Sequence, residues 1–192
     1  AGPVRVRILG VMPKDLIARS SVVVSAAEID AAISRVAAGI TARLGQSKPV
    51  VVTIMQGGLF FAGQLLPRLA FPLELDYVHA TRYGARTRGG ELEWIAGPHR
   101  DVAGRSMLLV DDILDQGRTL AAIRDEFLRR GATEVLIAAL AVKQLPEPAA
   151  VQADFEGVRV PDAFVFGCGM DVAGLWRNLP EIRVAHPGAT EA

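Results

Sequence analysis

The chain of 192 residues has a single cysteine, Cys168, and no long hydrophobic run. One cysteine excludes a disulfide within the chain and a cysteine-rich zinc site, and it fits a reducing compartment. The longest apolar stretch, residues 135–142, is far shorter than the roughly 20 residues that cross a bilayer. The apolar residues after Arg7 stop at Pro13, which is too early for a secretory signal. We therefore expect a cytoplasmic protein without a membrane partner.

Neither sign of charge is in excess, because 21 basic residues balance 21 acidic ones. A neutral chain gives no electrostatic reason to expect nucleic acid as the main partner. Internal repeats and low-complexity tracts are also missing. At roughly 150 residues per domain the length fits one domain, and hydrophobic residues, 51% of the chain, can build its core. We expect a single domain over residues 1–192.

Hydrophobic periodicity and glycine–proline punctuation predict alternating strands and helices. Ser25 and Glu28 form a capping box before apolar residues that recur at helical spacing up to Gly45. Residues 80–90 are rich in arginine and glycine and predict a mobile loop. The other predicted elements are strand 50–54, helix 59–66, strand 73–78 with Glu74 and Asp76 on a wetter face, strand 106–110, helix 119–130 and strand 134–142.

Most of the predicted strands are continuous apolar runs without alternation, which is typical of a parallel sheet covered on both faces. We therefore predict the α/β class, with a mainly parallel central sheet and helices on both faces. In such sheets ligands bind beyond the carboxyl ends of the strands. The candidate site therefore lies in the segments that follow Ile54, Val110 and Val142.

Acidic residues and a glycine cluster directly after the predicted strand 106–110. The segment reads Asp111-Asp112-Ile113-Leu114-Asp115-Gln116-Gly117-Arg118-Thr119. Gly117 permits a tight turn, and the backbone amides of residues 116–119 lie at a helix N-terminus, where geometry and dipole favour a phosphate. Arg118 adds a positive charge and Thr119 a hydroxyl donor. This segment predicts an anion-binding turn.

The three aspartates of this segment suit different tasks. Asp111 and Asp112 supply acceptors for a sugar diol or a Mg²⁺ ion. Asp115 lies between this acid pair and the phosphate turn, where a general base could reach a group attached to the sugar. The alternative is that Asp115 and Thr119 only cap a helix and that the acid pair is a solvated strand end. Because five specified positions meet by chance about once in ~10⁴ such chains, we favour the functional interpretation.

The segment resembles the signature of the type I phosphoribosyltransferases, and residues 50–182 resemble their hypoxanthine-guanine branch, which acts on 6-oxopurines. The resemblance implies the type I phosphoribosyltransferase fold, with a small hood contributed by about residues 1–24 and the C-terminal segment. It implies a transferase of purine salvage that moves phosphoribosyl from phosphoribosyl pyrophosphate to N9 of hypoxanthine or guanine. The products would be IMP or GMP and pyrophosphate, with Mg²⁺ as the cofactor. It also implies a homo-oligomer, either a dimer or a tetramer.

The resemblance assigns roles within the signature segment. Asp111 and Asp112 would meet the ribose hydroxyls, and Asp115 would assist proton transfer at N7 of the purine. Gln116 stands where many family members have threonine, and the backbone donors remain. The residues that would bind the 5-phosphate are Gln116, Gly117, Arg118 and Thr119.

Two further segments resemble loops of the same family. Residues 55–58, with Gln56 and Gly57, resemble the pyrophosphate-binding loop, in which a strained non-proline peptide turns an N–H toward the ligand. Gln56 replaces a frequent lysine, so pyrophosphate would depend more on backbone donors, Mg²⁺ and Arg177. Residues 80–90 resemble the loop that closes over the reaction and excludes water, with Tyr83 at the family's tyrosine position. Alone, the two segments also fit an ordinary turn and a disordered basic loop.

The base pocket comes from the last third of the chain. Lys143 would donate to O6 of the purine, and because an ammonium is only a donor it disfavours an adenine amino group. Phe164 would stack on the purine, and the backbone of Val165 would read its edge. Asp171 would hold Mg²⁺ through water, and Arg177 would face the pyrophosphate. Taken alone, these residues also fit a solvated lysine, a core strand and a helix cap.

Alternatives stay open at this point. The same chemistry on xanthine or another base is one, because backbone groups read the 2-substituent. A non-catalytic regulator of the same fold that binds nucleic acid is another, although zero net charge and the set Asp115, Lys143 and Asp171 weigh against it. A phospho-acceptor receiver domain would need its acid pair earlier in the chain than residues 111 and 112.

Overall fold

A computed structural model describes residues 13–82 and 92–186 of the chain. The helices are α1 Pro13–Ala18, α2 Ala26–Leu44, α3 Gly58–Leu65 and α4 Arg118–Arg129, with a 3₁₀ turn at Leu66–Arg68. The strands are β1 Ser20–Val24, β2 Val50–Ile54, β3 Glu74–Arg82, β4 Leu92–Ala96, β5 Ser106–Leu114, β6 Glu134–Gln144, β7 Phe155–Pro161, β8 Val165–Phe166 and β9 Ile182–Ala185. None of the described helices combines the length and the apolar character needed to cross a membrane.

Six strands form a central sheet in the order β4-β3-β2-β5-β6-β7. All neighbouring pairs are parallel except β3 and β4. Apolar side chains of α2 and α3 pack on one face of this sheet, and those of α4 pack on the other. Three further strands form a small antiparallel sheet in the order β1-β9-β8. The predicted α/β class, with a mainly parallel sheet and helices on both faces, is confirmed.

Helix α2 begins at the predicted capping box. The Ser25 hydroxyl accepts the Glu28 N–H at 3.4 Å, and the Glu28 carboxylate accepts the Ser25 N–H at 2.8 Å. Both donors would otherwise lack partners at the helix start. The residues predicted at helical spacing are buried against the sheet, and the helix ends before Gly45.

The acid pair and the pocket lysine lie inside strands rather than after them, which corrects the sequence prediction. Strand β5 continues to Leu114, so Asp111 and Asp112 are part of it. Strand β6 continues to Gln144 and includes Lys143. The two strands pair along this whole length, with Leu114 opposite Val142, so the backbone stays in the ladder beyond the apolar run.

The predicted loop over residues 80–90 is wrong at its start, because residues 80–82 belong to β3. They pair with β4, a strand that the sequence analysis missed. Strand β4 is short and lies at the sheet edge, where its Trp94 stacks on Phe127 at a ring distance of 6.3 Å. Tyr83 and the rest of the predicted loop, residues 83–90, lie outside the described residues.

Asp76 is buried, although the alternation of β3 predicts it on a wetter face. Its carboxylate accepts the backbone N–H groups of Tyr77, His99 and Arg100 at 2.7 to 2.8 Å, and it lies 3.2 Å from His99 Nδ1. Burial alone would raise the pKa of Asp76, but these donors outweigh it and hold the pKa below its ordinary value. Asp76 thereby ties the segment after β4 to β3.

We expect Asp76→Asn to lower the free energy of unfolding at pH 7 by about 1–3 kcal/mol, because it removes a charged acceptor from buried donors. A depressed native pKa stabilises the fold above the unfolded value of about 3.9, and this contribution disappears as pH falls through the native pKa. Urea unfolding should therefore show a difference from the parent that is full at pH 7 and shrinks below about pH 4. The control is Asp125→Asn on an exposed carboxylate, and a pH-independent difference would contradict the assignment.

Candidate active site

The acid pair lies at the carboxyl end of β5, in the middle of the central sheet. Asp112 is only 7% exposed, and its backbone N–H donates to the Asp111 carboxylate at 3.0 Å. Burial raises the pKa of Asp111 well above its ordinary range, and the neighbouring Asp112 charge adds to this. Burial also raises the pKa of Asp112, although the hydrogen bond with Asp111 and the charge of Arg177 oppose the shift. Such carboxylates are suited to a hydroxyl donor or a cation, which offsets the cost of burial.

The loop after β2 packs directly on this acid pair. A Cβ on Gly57 would lie 2.1 Å from Asp112 Oδ2, and a Cβ on Gly169 would lie 2.2 Å from the Gly57 carbonyl oxygen. Only glycine permits both approaches. The Met55–Gln56 peptide bond in this loop is cis, and the Gln56 side chain is exposed. The predicted pyrophosphate loop is thus held between β5 and the segment that carries Gly169.

The predicted phosphate turn joins β5 to α4. Gly117 has a left-handed backbone with φ 68°, and it begins the helix without a side-chain acceptor for the first amides. The first intrahelical bond runs from the Ala121 N–H to the Gly117 carbonyl at 2.8 Å, so the amides before it have no partner within the helix. The Ala150 N–H donates to the Gln116 carbonyl at 2.9 Å, which fixes the turn from outside. Arg118 and Thr119 follow as the first residues of α4.

The structure brings the predicted general base and the predicted O6 donor together. Lys143 Nζ donates to Asp115 Oδ2 at 3.1 Å. The Lys143 side chain is 14% exposed, whereas that of Asp115 is 46% exposed. A nearly buried ammonium therefore holds a carboxylate that faces the solvent side of the site.

Arg177 and Asp171 also lie together, beside the acid pair. Arg177 Nη2 lies 2.6 Å from Asp171 Oδ1, and Nη1 donates to the Gly169 carbonyl at 2.6 Å. The remaining donor, Arg177 Nε, is buried and has no hydrogen-bond partner among the described residues. The charge of Arg177 lowers the pKa of Asp112, so the guanidinium is close enough to act on the acid pair. An unpaired buried donor fits an anionic acceptor that a ligand would bring.

Phe164 and Val165 lie on the small sheet rather than on the central one. Val165 is buried in β8, and Phe164 packs partly buried against Phe166 and Val172. The backbone carbonyl of Phe164 accepts the N–H of Ala185 at 3.2 Å. These two residues therefore belong to a different part of the fold from Asp115 and Lys143.

Cys168, to which the sequence interpretation gave no function, lies in a tight reversal of the chain. Gly167 and Met170 pair across it, and the Cys168 N–H donates to the Leu179 carbonyl at 2.9 Å. The thiol is free and fully buried, and burial together with the charge of Glu181 raises its pKa to about 12. The interpretation of Cys168 as a small buried residue is confirmed.

A divalent cation fits the chemistry of the donor set. Among residues 13–82 and 92–186, no three carboxylate, imidazole or thiol groups converge to hold a metal by themselves. Mg²⁺ is usually held by one or two carboxylates together with water and substrate phosphates, so it needs no such cage. Asp171, whose side chain is 31% exposed, and the acid pair offer carboxylate oxygens of the required kind.

Sequence reasoning missed Gly169, although it found most of its neighbours. The signal was present in the run Gly167-Cys168-Gly169, because two glycines around a small residue indicate a close backbone approach. The element approached, Gly57 on a loop more than a hundred residues earlier, is visible only in the folded chain.

Comparisons with known proteins give consistent results. The sequence model of the family described as Phosphoribosyl transferase domain matches residues 25–173. The hypoxanthine-guanine phosphoribosyltransferase of Bacillus subtilis (strain 168) is 34% identical over 172 residues, which cover 89% of this chain and 96% of the relative. That of Streptococcus pneumoniae (strain ATCC BAA-255 / R6) is 33% identical and covers 85% of this chain and 91% of the relative.

A solved structure extends the similarity to the fold. The crystal structure of a hypoxanthine phosphoribosyltransferase from Staphylococcus aureus superposes with a TM-score of 0.83 at 28% identity. The superposition covers 92% of this chain and 97% of that one.

Proposed function

Because the chain belongs to the phosphoribosyl transferase domain family, and within it to the hypoxanthine-guanine phosphoribosyltransferases, we propose that it transfers phosphoribosyl from phosphoribosyl pyrophosphate to N9 of hypoxanthine or guanine. The products are IMP or GMP and pyrophosphate, and the reaction is a step of purine salvage. The observation that carries this proposal is the turn at Gly117, which lies between the acid pair and α4 while Asp115 is bonded to Lys143.

The sugar donor binds at the carboxyl end of β5. The unpaired amides at the start of α4, with Arg118 and Thr119, bind the 5-phosphate, because a helix N-terminus favours an anion. Asp111 and Asp112 accept hydrogen bonds from the ribose hydroxyls. Along the chain the acid pair of β5 comes first and the turn before α4 follows. Neighbouring parts of the site can therefore bind the ribose hydroxyls and the 5-phosphate of one sugar.

The chemical step joins N9 of the base to C1′ of the ribose while the bond from C1′ to pyrophosphate breaks. The proton on N7 leaves to the Asp115 carboxylate, and Lys143 donates to O6. Positioning of the two substrates and electrostatic support of separating charge account for most of the acceleration. Proton transfer to Asp115 contributes roughly 10²–10⁴-fold.

The small sheet is the part that we assign to the hood over the base, within one domain formed by the whole chain. We assign the stacking contact with the purine to Phe164 and the reading of its edge to the Val165 backbone, because both residues lie at or beside β8 of this sheet. Tyr83 lies outside the described residues, and its expected role in excluding water from the reaction stays a prediction.

Mg²⁺ is the cofactor that we assign, with Asp171 as the residue that would hold it. When bound, the ion would neutralise charge on the departing pyrophosphate. The loop at Gln56 and Gly57 and the Arg177 guanidinium take the pyrophosphate. Arg177 carries more of this task than in family members with a lysine at position 56, and its free Nε supplies a donor for it.

A second copy of the chain is the partner that we assign to the face of β3. Leu75 and Tyr77 are 51% and 42% exposed there, and Ile95 on β4 is 61% exposed. An exposed apolar face of this kind marks an association surface. An open cavity of about 490 Å³ lies on it, lined by Thr53, Met55, Leu66, Leu75, Asp76, Tyr77, His99 and Arg100.

We expect the protein to have the mass of a dimer or a tetramer by light scattering, and Leu75→Asp to reduce that mass because it places a charge in the apolar interface. Leu128→Asp, on an exposed leucine of α4, is the matched control and should leave the mass unchanged. A monomeric parent would contradict the assignment.

The cytoplasm is the compartment that we assign to this activity, because a chain with one cysteine, which forms no disulfide within it, fits a reducing compartment. Nucleic acid is not among the assigned partners, in keeping with a net charge of zero.

The test is a Mg²⁺-dependent assay of nucleotide formation and pyrophosphate release with hypoxanthine, guanine, xanthine and adenine. We expect turnover of hypoxanthine or guanine and little of adenine, whose amino group opposes the Lys143 donor. Turnover of xanthine alone would favour the same chemistry on another base. Binding of RNA or DNA without pyrophosphate release would favour the non-catalytic regulator.

A further inference from the structure

We infer that Lys143 has a second task in the proposed reaction: it positions the Asp115 carboxylate against N7 of the purine while it donates to O6. This inference rests on the proposed function and concerns the same site. It makes Lys143 a positioning residue for the proton transfer as well as a contact to the base.

The two side chains differ in how firmly the fold holds them. Lys143 belongs to β6, which has a parallel neighbour on each side, and its side chain is 14% exposed. Asp115 follows the end of β5, and its side chain is 46% exposed. Among the described residues, Lys143 is the only side chain that hydrogen-bonds the Asp115 carboxylate. The lysine is therefore the fixed member of the pair, and the aspartate is the member that is held.

The chemistry of an ammonium allows both contacts at once. It carries three N–H donors, and the bond to Asp115 Oδ2 at 3.1 Å uses one of them. O6 and N7 of a 6-oxopurine are neighbouring positions on one edge of the base. O6 accepts a hydrogen bond, whereas N7 carries the proton that has to leave. A lysine that binds O6 and a carboxylate together therefore brings that carboxylate beside N7, where the proton is released.

Charge also changes in the right direction around this pair. As N9 forms its bond to C1′, the electron pair of the broken C1′–O bond stays with pyrophosphate, and the N7 proton passes to Asp115. The carboxylate becomes neutral, and the ammonium keeps its charge beside O6, where the electron density left by the proton accumulates. One lysine thus supports the carboxylate before proton transfer and the purine during it.

The choice of purine separates the two contributions of Lys143, the contact to O6 and the positioning of Asp115. Hypoxanthine has both O6 and N7, whereas unsubstituted purine keeps N7 and N9 but has no O6. We expect Lys143→Met to lower kcat with unsubstituted purine by roughly 10-fold or more, because an Asp115 carboxylate that is no longer held in place transfers the proton less effectively. With hypoxanthine the same variant should also raise KM, because the O6 contact is lost as well.

A double-mutant cycle shows whether this effect runs through Asp115. With unsubstituted purine, Lys143→Met should lower kcat in the parent and change it no further in Asp115→Asn. Where turnover of purine is too slow to measure, the same cycle on kcat with saturating hypoxanthine decides by its non-additivity. Lys48→Met, on an exposed lysine, is the matched control and should leave every value unchanged. Unfolding midpoints of all variants exclude a loss of folded protein.

The outcomes are distinguishable from a failure of the proposed function. An unchanged kcat with purine, or equal effects of Lys143→Met in both backgrounds, overturns the positioning task and leaves Lys143 as a contact to O6 only. A parent that forms no nucleotide from hypoxanthine or guanine overturns the proposed function, and the inference with it.

Discussion

Asp115→Asn is expected to lower kcat by about 10²–10⁴-fold, because an amide of the same shape cannot accept the N7 proton. The affinity for phosphoribosyl pyrophosphate should stay nearly unchanged. The amides of α4 and the pair Asp111 and Asp112, which we assign to that ligand, do not depend on the Asp115 charge. Steady-state kinetics give kcat, and calorimetric titration of the sugar donor gives its Kd.

The control for this variant is Asp125→Asn, which changes an exposed carboxylate within α4. A variant with weaker sugar-donor binding and full turnover at saturation would assign Asp115 to the ligand rather than to proton transfer. Unchanged turnover would remove it from the role of general base.

The second large effect is expected for Gly57→Ala. Its Cβ would lie 2.1 Å from Asp112 Oδ2 and 2.5 Å from Asp112 Cγ, so the carboxylate or the loop has to move. Gly169 also packs close to Asp112, since a Cβ added at Gly169 would lie 3.0 Å from the Asp112 Cβ. Since a misplacement of about 1 Å in a catalytic site costs roughly 10²-fold, we expect kcat/KM for the sugar donor to fall by at least that factor.

Gly63→Ala is the matched control for Gly57→Ala. Gly63 lies in α3, and a Cβ there meets no atom within 4 Å. Alanine in an exposed helix interior should raise the free energy of unfolding by roughly 0.5–1 kcal/mol and leave activity unchanged. Thermal unfolding of both variants separates a damaged site from a damaged fold. A fully active Gly57→Ala would show that the contact between the loop and the acid pair is dispensable.

The central architecture could be predicted from local patterns in the chain. The capping box at Ser25 predicts a helix and the apolar run of residues 50–54 predicts a strand, because each pattern lies within a few neighbouring residues. The turn at Gly117 could be predicted for the same reason. A glycine before a helix and acids after an apolar run form one continuous stretch of sequence.

The features that sequence analysis did not predict correctly depend on residues far away along the chain. Strand β4 lies at an edge, and the alternation in Glu91-Leu92-Glu93-Trp94 covers only four residues beside a segment rich in glycine and arginine, so the strand was missed. Asp76 is buried because the segment after β4 brings backbone donors to it, and no pattern near Asp76 in the sequence predicts these contacts.

The pairing of Asp115 with Lys143 follows from the register of β5 and β6, which aligns Leu114 with Val142. Sequence analysis named both residues and gave each its own role, but their distance of 3.1 Å is a property of the sheet. The acid pair was likewise found, while its burial was not, because burial is set by the loop at Gly57 and by Gly169.

Because the thiol of Cys168 is buried, we expect the folded protein not to react with sulfhydryl reagents. A thiol with a pKa of about 12 and no exposed surface is almost wholly protonated near neutrality, and alkylating agents and peroxides react with the thiolate. Since the chain has no other cysteine, one introduced at a surface position would be the sole reactive thiol. A fluorophore or spin label could then be attached at a chosen point without first deleting a native residue.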